Sequence, residues 1–232
     1  MTAQQIILAT RNAHKAREFR ELLGDDFEVS DLGAFPGINV AHEIGRTFEE
    51  NARLKALAVS QQQLVGAARG AIRTSQRDVP THVLADDSGL EVDALGGAPG
   101  IRSARYAGEG ATDEQNIEKL LRELARVGAR EISQRTARFH CVLALVRAGR
   151  ILDTFSGVVE GAIVDLPRGS CGFGYDPVFL PNGLDRTFGE LPAKVKNAIS
   201  HRARAVGALR AAVLTGERSQ GLGGAGGGGP PD

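Results

Sequence analysis

A pattern that can bind phosphate lies near the N-terminus, in the segment Thr10-x-Asn12-x-x-Lys15. It stands where a short apolar strand gives way to a predicted helix. Free backbone N–H groups, the helix dipole and the Lys15 ammonium can converge there on one phosphate group. The alternative is an ordinary helix cap by Thr10 or Asn12 beside a solvated Lys15. The segment therefore predicts either a phosphate site or a capped helix start.

A candidate metal site lies at Asp86-Asp87, which we place at the end of an apolar strand, just before Gly89. Two adjacent carboxylates repel each other and raise each other's pKa unless a cation or hydrogen-bond donors neutralise them. Mg²⁺ prefers a few carboxylates together with phosphate oxygens and water, and Glu43 could supply a third oxygen ligand. The alternative is a turn in which the Asp and Ser side chains cap the backbone.

The segment Gly172-Phe173-Gly174-Tyr175-Asp176 could hold a nucleobase. Glycines on both sides of Phe173 let the backbone approach a flat ligand closely, and the ring offers a stacking face. The spacing lacks the third glycine of a dinucleotide-binding loop. The alternative is a tight loop in which Phe173 and Tyr175 are core aromatics.

A fourth group, Lys196-x-x-x-Ser200-His201-Arg202, opens the last predicted helix with side chains that can donate hydrogen bonds. The chain uses 23 Arg but only five Lys, so each Lys indicates some reason for a compact ammonium, such as a phosphate contact. Lys15 and Lys196 both lie in candidate sites. The alternative for this group is a solvated helix end.

The elements that must position these residues alternate between strand and helix signals, which favours an α/β architecture. The helix signals fall at 13–23, after the capping boxes that begin at Thr47 and Thr112, and at 198–214. The strand signals fall at 6–9, at 83–85 and in a predicted hairpin of 139–146 with 151–159.

Composition excludes several classes of protein. The 232 residues carry 28 Lys+Arg and 28 Asp+Glu, so no general basic excess attracts nucleic acid or anionic lipid. The longest apolar runs fall far short of the ~20 residues of a membrane helix. Two cysteines and an N-terminus without a basic signal-peptide region favour a reducing cytoplasm.

Two stretches depart from the composition of a folded domain. Residues 61–80 break the helical apolar pattern with Gln, Gly and Arg, which predicts an exposed insertion. Residues 216–232 are rich in Gly and Pro and offer almost no apolar surface to offset the entropy of ordering. We therefore expect a domain over 1–215 followed by a disordered tail.

Six motifs occur in a fixed order between residues 6 and 214: Ile7-Leu8-Ala9-Thr10-x-Asn12-x-x-Lys15, Thr47-Phe48-x-Glu50-Asn51-Ala52, Ala85-Asp86-Asp87-Ser88-Gly89-Leu90, Gly96-Gly97-Ala98-Pro99-Gly100-Ile101-x-Ser103-Ala104-Arg105-Tyr106, Gly172-Phe173-Gly174-Tyr175-Asp176-Pro177 and Ser200-His201-Arg202. Together they resemble the inosine triphosphate pyrophosphatase family, house-cleaning enzymes that hydrolyse deaminated purine nucleoside triphosphates. The resemblance implies a two-lobed α/β fold with a long mixed β-sheet and a central substrate cleft, usually in a homodimer.

The resemblance also implies a role for each candidate residue. The triphosphate would be held by the loop of Thr10, Arg11, Asn12, Ala13, His14 and Lys15. Mg²⁺ would be held by Glu43 and Asp87, and Asp87 would also be the base on the attacking water. Substrate contacts would come from Ser88, from Phe173, Gly174, Tyr175 and Asp176 around base and sugar, and from Lys196, His201 and Arg202 at the base edge. Attack on the α-phosphorus would turn dITP, ITP, XTP or dXTP into a monophosphate and pyrophosphate.

Two departures from the family pattern stand out. Residue 11 is Arg where the family often has Gly, which adds a possible phosphate contact, and the stretch 61–80 is longer than expected. Two other functions remain open. One is a non-catalytic nucleotide sensor, which would not need Glu43, Asp86 and Asp87 together. The other is a related pyrophosphatase acting on different nucleotides, such as pyrimidine triphosphates.

Overall fold

The computed structural model describes residues 4–39, 41, 43–68 and 81–220. Its helices are α1 (Ala13–Leu23), α2 (Phe48–Ala68), α3 (Asp113–Arg126), α4 (Ala193–Ile199) and α5 (His201–Gln220). Its strands are β1 (Gln4–Leu8), β2 (Phe27–Asp31), β3 (His82–Val92), β4 (Thr136–Arg147), β5 (Arg150–Ile163) and β6 (Phe179–Pro181). Within these ranges, no helix is long and apolar enough to cross a lipid bilayer.

One six-stranded sheet, in the order β2-β1-β3-β4-β5-β6, organises the fold. β1 pairs in parallel with β2 and β3, whereas β3 to β6 pair antiparallel. Ala148 and Gly149 connect β4 to β5 with φ angles of 49° and 72°, the positive values that a tight hairpin turn requires. The mixed sheet and the hairpin confirm the predicted α/β class.

Apolar packing divides the molecule into two lobes. In the first lobe, α1 and α5 cover one face of the sheet around Phe19 and Leu209, while α2 covers the opposite face around Ala56. In the second lobe, α3 packs against the far ends of β3, β4 and β5 around Leu120 and Phe179. The substrate cleft predicted from the resemblance falls where the two lobes meet.

Two helix boundaries differ from the sequence-based expectations. α2 continues through 61–68, because Gln62 donates to the carbonyl of Asn39 at 2.8 Å and ties this turn to the preceding loop. The rest of the predicted insertion, 69–80, lies outside the described residues. The final helix is in fact α4 and α5, separated at Ser200, whose backbone is extended. α5 continues to Gln220, and residues 221–232 lie outside the described part of the chain.

Candidate active site

The two adjacent aspartates lie inside β3 rather than at its end, so both the strand-end and the turn interpretations are wrong. β4 pairs with β3 along its whole length, including Asp86 with Leu143 and Asp87 with Val142. β1 pairs with β3 only as far as Leu84. Because side chains alternate along a strand, Asp86 and Asp87 point to opposite faces of the sheet.

Asp86 faces α1 and forms a buried ion pair. Lys15 Nζ donates to its Oδ2 at 2.8 Å, and the Ser88 hydroxyl donates to the same oxygen at 2.8 Å. Burial opposes ionisation of Asp86, but the charges of Lys15, Lys55 and Arg202 outweigh it and hold its pKa far below the ordinary range. Asp86 therefore stays ionised and fixes Lys15 at the start of α1.

Asp87 faces α2 and has different partners. Lys55 Nζ donates to Oδ1 at 3.0 Å, and Asn51 Nδ2 donates to Oδ2 at 3.1 Å. Burial raises the pKa of Asp87, and the charge of Glu43 adds to this effect while Lys55 opposes it. Cations and donors therefore neutralise both aspartates, which is the condition under which no mutual rise in pKa is expected, and the rise at Asp87 comes mainly from burial.

Glu43 lies beside Asp87 rather than beside both aspartates. Its Oε1 accepts from Lys55 at 3.0 Å and its Oε2 accepts from Arg105 at 2.8 Å. Burial opposes ionisation, but Lys55 and Arg105 lower the pKa of Glu43. Over the described ranges, no group of three or more His, Cys, Asp or Glu is arranged to hold a metal ion. Glu43 and Asp87 share the Lys55 ammonium, with each carboxylate 3.0 Å from Nζ.

The N-terminus of α1 contains the helix cap that the sequence offered as one alternative. Asn12 caps the helix, because its Oδ1 accepts from the backbone N of His14 at 2.9 Å and of Lys15 at 3.1 Å. Thr10 Oγ1 accepts from the backbone N of Asn12 at 3.1 Å. Ala13 is the first residue of α1. Two of the backbone donors expected to be free for phosphate are thus bonded to Asn12, while the Lys15 side chain is held by Asp86.

Arg11 does not point along this helix. Its Nη2 donates to the carbonyl of Ile38 at 2.9 Å, which ties the loop after β1 to the loop after β2. A guanidinium carries five N–H donors, so a phosphate contact from its other nitrogens would not require this bond to break.

The Gly-Phe-Gly loop is held closed by Asp176. Its Oδ2 accepts from the backbone N of Phe173 at 2.8 Å and from Lys196 Nζ at 2.5 Å. Gly172 has φ of 75°, and a Cβ there would stand 1.9 Å from the same carboxylate oxygen, so a larger residue would break the loop. Gly174, with φ of 61°, donates its backbone N–H to Asp113 at 2.6 Å. The loop is therefore rigidly shaped around Phe173.

Phe173 is the ring available for stacking, whereas Tyr175 is mainly a core residue. The half-buried Phe173 ring stacks on His14 at a centroid distance of 5.5 Å. The cationic groups of Lys196 and Arg202 each lie 5.0 Å from its centroid. Tyr175 is 4% exposed, and its hydroxyl donates to the carbonyl of Ser103 at 2.9 Å. Tyr175 is therefore mainly a core aromatic, as the alternative interpretation of this loop predicted.

The group that opens the last helices is buried, which excludes the solvated helix end. Lys196, His201 and Arg202 are 3%, 2% and 4% exposed. Glu18 accepts from Lys196 Nζ at 2.6 Å and from Arg202 Nη1 at 3.0 Å. Sequence reasoning missed Glu18, whose only local signal is its position one helical turn after Lys15. This carboxylate joins α1 to both α4 and α5.

Two buried nitrogens in this group have no hydrogen-bond partner among the described residues: Nδ1 of His201 and Nε of Arg202. His201 stacks on Phe139 at a centroid distance of 4.8 Å. Burial, followed by the charges of Arg202 and Lys196, holds the pKa of His201 well below its ordinary value, so its ring is neutral at pH 7. Buried polar groups are normally bonded, and an unpaired one costs about 1–3 kcal/mol, so these atoms favour a polar ligand.

The cleft brings most of the predicted substrate residues together. Its lining includes Asn12, Lys15, Ser88, Phe173, Gly174, Tyr175, Asp176, His201 and Arg202. Lining residues to which sequence reasoning gave no role in the site are Gly89, Ser103, Ala104, Asp113, Asn116 and Phe139. Predicted residues outside this lining are Thr10, Arg11, Ala13, His14, Glu43, Asp87 and Lys196. Of these, His14 and Lys196 touch the lining residue Phe173.

These features are typical of a site for a flat, polar ring together with an anionic group. A lysine lies at one part of the cleft, and an aromatic ring with buried unpaired nitrogens lies at another. The chain belongs to the Ham1 family, whose model matches residues 6–212.

Curated relatives and solved structures agree with this membership. The chain is 47% identical over 204 residues to the dITP/XTP pyrophosphatase of Geobacillus kaustophilus, covering 88% of this chain and 91% of that protein. It is 45% identical over 204 residues to the dITP/XTP pyrophosphatase of Bacillus subtilis, covering 88% and 93%. The structure of a HAM1 protein from Coxiella burnetii matches with a TM-score of 0.75 and 38% identity, covering 91% and 99%.

Proposed function

We propose that this protein hydrolyses deaminated purine nucleoside triphosphates, namely dITP, ITP, XTP and dXTP, to the monophosphate and pyrophosphate. Family membership and the names of the relatives support this reaction. The single observation that carries the substrate class is the pair of buried cations, Lys196 and Arg202, each 5.0 Å from the centroid of the Phe173 ring that lines the cleft.

The base edge explains why deaminated purines fit. Arg202 Nε can only donate, and Lys196 is likewise a donor. The 6-oxo group of hypoxanthine or xanthine accepts a hydrogen bond, whereas the 6-amino group of adenine would place a donor against donors. Glu18 and Asp176 hold the cations of Lys196 and Arg202 in place, so the donors are oriented before the base arrives.

Guanine shares the 6-oxo group, so its exclusion depends on position 2 of the ring. Xanthine has an acceptor there, hypoxanthine has only hydrogen, and guanine has an amino donor. We therefore expect inosine and xanthosine triphosphates to be much better substrates than GTP, with ATP and pyrimidine triphosphates the poorest.

The phosphate end relies on Lys15, Ser88 and Asn12. Lys15 is 19% exposed at its side chain, so its ammonium can reach a phosphate while still paired with Asp86. A lysine meets phosphate as a point charge and does not need the planar geometry of arginine. The Ser88 hydroxyl, which bonds the same Asp86 oxygen, lies beside it on the cleft wall.

The residues present fit a Mg²⁺ ion. Glu43 and Asp87 approach the same ammonium group at 3.0 Å each, so one small cation could contact both carboxylates. Two carboxylates plus phosphate oxygens and water make a donor set that Mg²⁺ prefers. Bound there, the ion would spread the negative charge of the triphosphate.

Side chains of the protein carry out the remaining steps of the proposed reaction. Asp87 accepts a proton from the water that attacks the α-phosphorus, and burial makes its carboxylate more basic than an exposed aspartate. Lys15 offsets the charge of the leaving pyrophosphate. No covalent intermediate on the protein is needed. The homodimer and the cytoplasmic location expected above also belong to this proposal. Sedimentation of the full chain tests whether it forms a homodimer.

The experiment is a panel of triphosphates assayed with and without Mg²⁺. Release of pyrophosphate is measured for ITP, XTP, GTP, ATP and CTP, and then repeated in EDTA. We expect fast release from ITP and XTP that EDTA abolishes. Binding without hydrolysis would indicate a nucleotide sensor, and a preference for CTP would indicate a pyrophosphatase of different specificity.

A further inference from the structure

The ammonium of Lys55 lies between the two carboxylates proposed as metal ligands. Nζ donates to Glu43 Oε1 and to Asp87 Oδ1, both at 3.0 Å. The Lys55 side chain is only 6% exposed, so water contributes little to stabilising its positive charge. A cation that binds both of these oxygens would compete with Nζ for them.

The other oxygen of each carboxylate is held by a separate donor. Arg105 Nη1 donates to Glu43 Oε2 at 2.8 Å, and Asn51 Nδ2 donates to Asp87 Oδ2 at 3.1 Å. These bonds orient the carboxylates so that Oε1 and Oδ1 face Lys55. Such outer hydrogen bonds fix ligand geometry around a metal. Of these three donors, Lys55 alone contacts both carboxylates.

The carboxylates of this cluster already have cationic partners. Glu43, Asp86 and Asp87 form direct ion pairs with three cations, those of Lys15, Lys55 and Arg105, and Arg105 also lies 3.5 Å from the exposed Glu109. A divalent cation added alone would leave an excess of positive charge in a buried site, which is costly. A triphosphate that arrives with the cation removes that excess and offers Lys55 new anionic partners.

We propose that Lys55 is an internal competitor of the divalent cation, which confines tight metal binding to the nucleotide-bound protein. The inference rests on the proposed function, in which Glu43 and Asp87 bind the metal. In the nucleotide-free protein Lys55 holds the carboxylates of Glu43 and Asp87 together. When metal and nucleotide bind together, Lys55 leaves these carboxylates and pairs with the triphosphate. Free divalent cation therefore binds the nucleotide-free protein weakly.

The test measures Mn²⁺ binding to the nucleotide-free full chain by electron paramagnetic resonance of free Mn²⁺. Lys55→Gln removes the competing charge, and Lys55→Met keeps the apolar stem in case the glutamine variant does not fold. Lys194→Gln, at an exposed position of α4, is the matched control. We expect both Lys55 variants to bind Mn²⁺ at least about tenfold more tightly than wild type, because a unit charge at contact distance is removed. The control should bind like wild type.

A second readout avoids dependence on Mn²⁺. Mg²⁺ should raise the Tm of the Lys55 variants more than that of wild type, because a ligand that binds only the folded state stabilises it. Equal Mn²⁺ affinity and equal Tm shifts in folded Lys55→Met and wild type would overturn the proposal. Neither readout needs turnover, so the two proposals can fail separately. Wild type can hydrolyse ITP while the Lys55 variants bind Mn²⁺ no more tightly, and the variants can bind Mn²⁺ more tightly while wild type does not hydrolyse ITP.

Discussion

Replacing Arg202 by alanine tests how the cleft discriminates between bases. Arg202 is 4% exposed, its Nη1 is held by Glu18 at 3.0 Å, and its Nε has no partner among the described residues. In the proposed ITP complex an N–H of the Arg202 guanidinium pairs with the 6-oxo group, whereas ATP leaves that donor unpaired. That loss is about 1–3 kcal/mol, which corresponds to roughly 5- to 150-fold in kcat/KM. Arg202→Ala removes the donor, so the ratio of kcat/KM for ITP over ATP should contract by this factor.

The assay is kcat/KM for ITP and ATP on wild type, Arg202→Ala and a control on the same helix. Arg204→Ala is suitable because Arg204 is exposed and donates to the carbonyl of Val158 at 2.6 Å, outside the cleft lining. The control should keep the wild-type ratio. An equal loss for both substrates in Arg202→Ala would refute a role in base selection and leave Arg202 as a support for the Phe173 loop. Comparable wild-type values for ITP and ATP would refute the base pocket while leaving the phosphate site intact.

Three further predictions concern catalysis, pH and the C-terminus. Asp87→Asn should lower kcat by about 10²-fold or more with an unchanged circular dichroism spectrum, since the amide cannot take a proton from water. Asp185→Asn, at an exposed position, is the control. Activity of Asp87→Asn near that of wild type would rule out Asp87 as the base. Folding lowers the pKa of Asp86 from its ordinary 3.8, so its stabilisation is complete above that pH, begins to be lost as pH falls below 3.8 and disappears only below the much lower pKa of the folded state. Asp86→Asn should therefore lower Tm in EDTA more at pH 6 than at pH 3, and an equal deficit at both would contradict the ion pair. Removing 221–232 should leave Tm and kcat/KM unchanged, because this stretch is almost wholly Gly and Pro, and a Tm several degrees lower would show that it docks.

Local features of the fold could be predicted because neighbouring residues cause them. The capping box at Thr112 and Gln115 forms as its spacing predicts, with Thr112 Oγ1 accepting from the backbone N of Gln115 at 3.3 Å. Asn12 likewise caps α1, because its side chain accepts from the backbone N of His14 and Lys15, two and three residues further along the chain. Such contacts depend on spacings of two to four residues that are visible in the sequence.

Features that depend on distant partners could not be predicted in this way. The composition Asp86-Asp87-Ser88-Gly89 is typical of a turn, yet pairing with β4 along the whole of β3 keeps it extended. The ion pair between Glu18 and Lys196 joins residues 178 positions apart, so no local pattern indicates it. The strand also separates Asp86 from Asp87, which turns one expected carboxylate pair into two sites with different partners.

The position of water attack tests the proposed reaction most directly. The full chain is incubated with XTP and Mg²⁺ in H₂¹⁸O, and the products are analysed by mass spectrometry. The proposed reaction predicts xanthosine monophosphate that carries one ¹⁸O atom and unlabelled pyrophosphate. Release of orthophosphate, or ¹⁸O in the pyrophosphate, would contradict attack on the α-phosphorus.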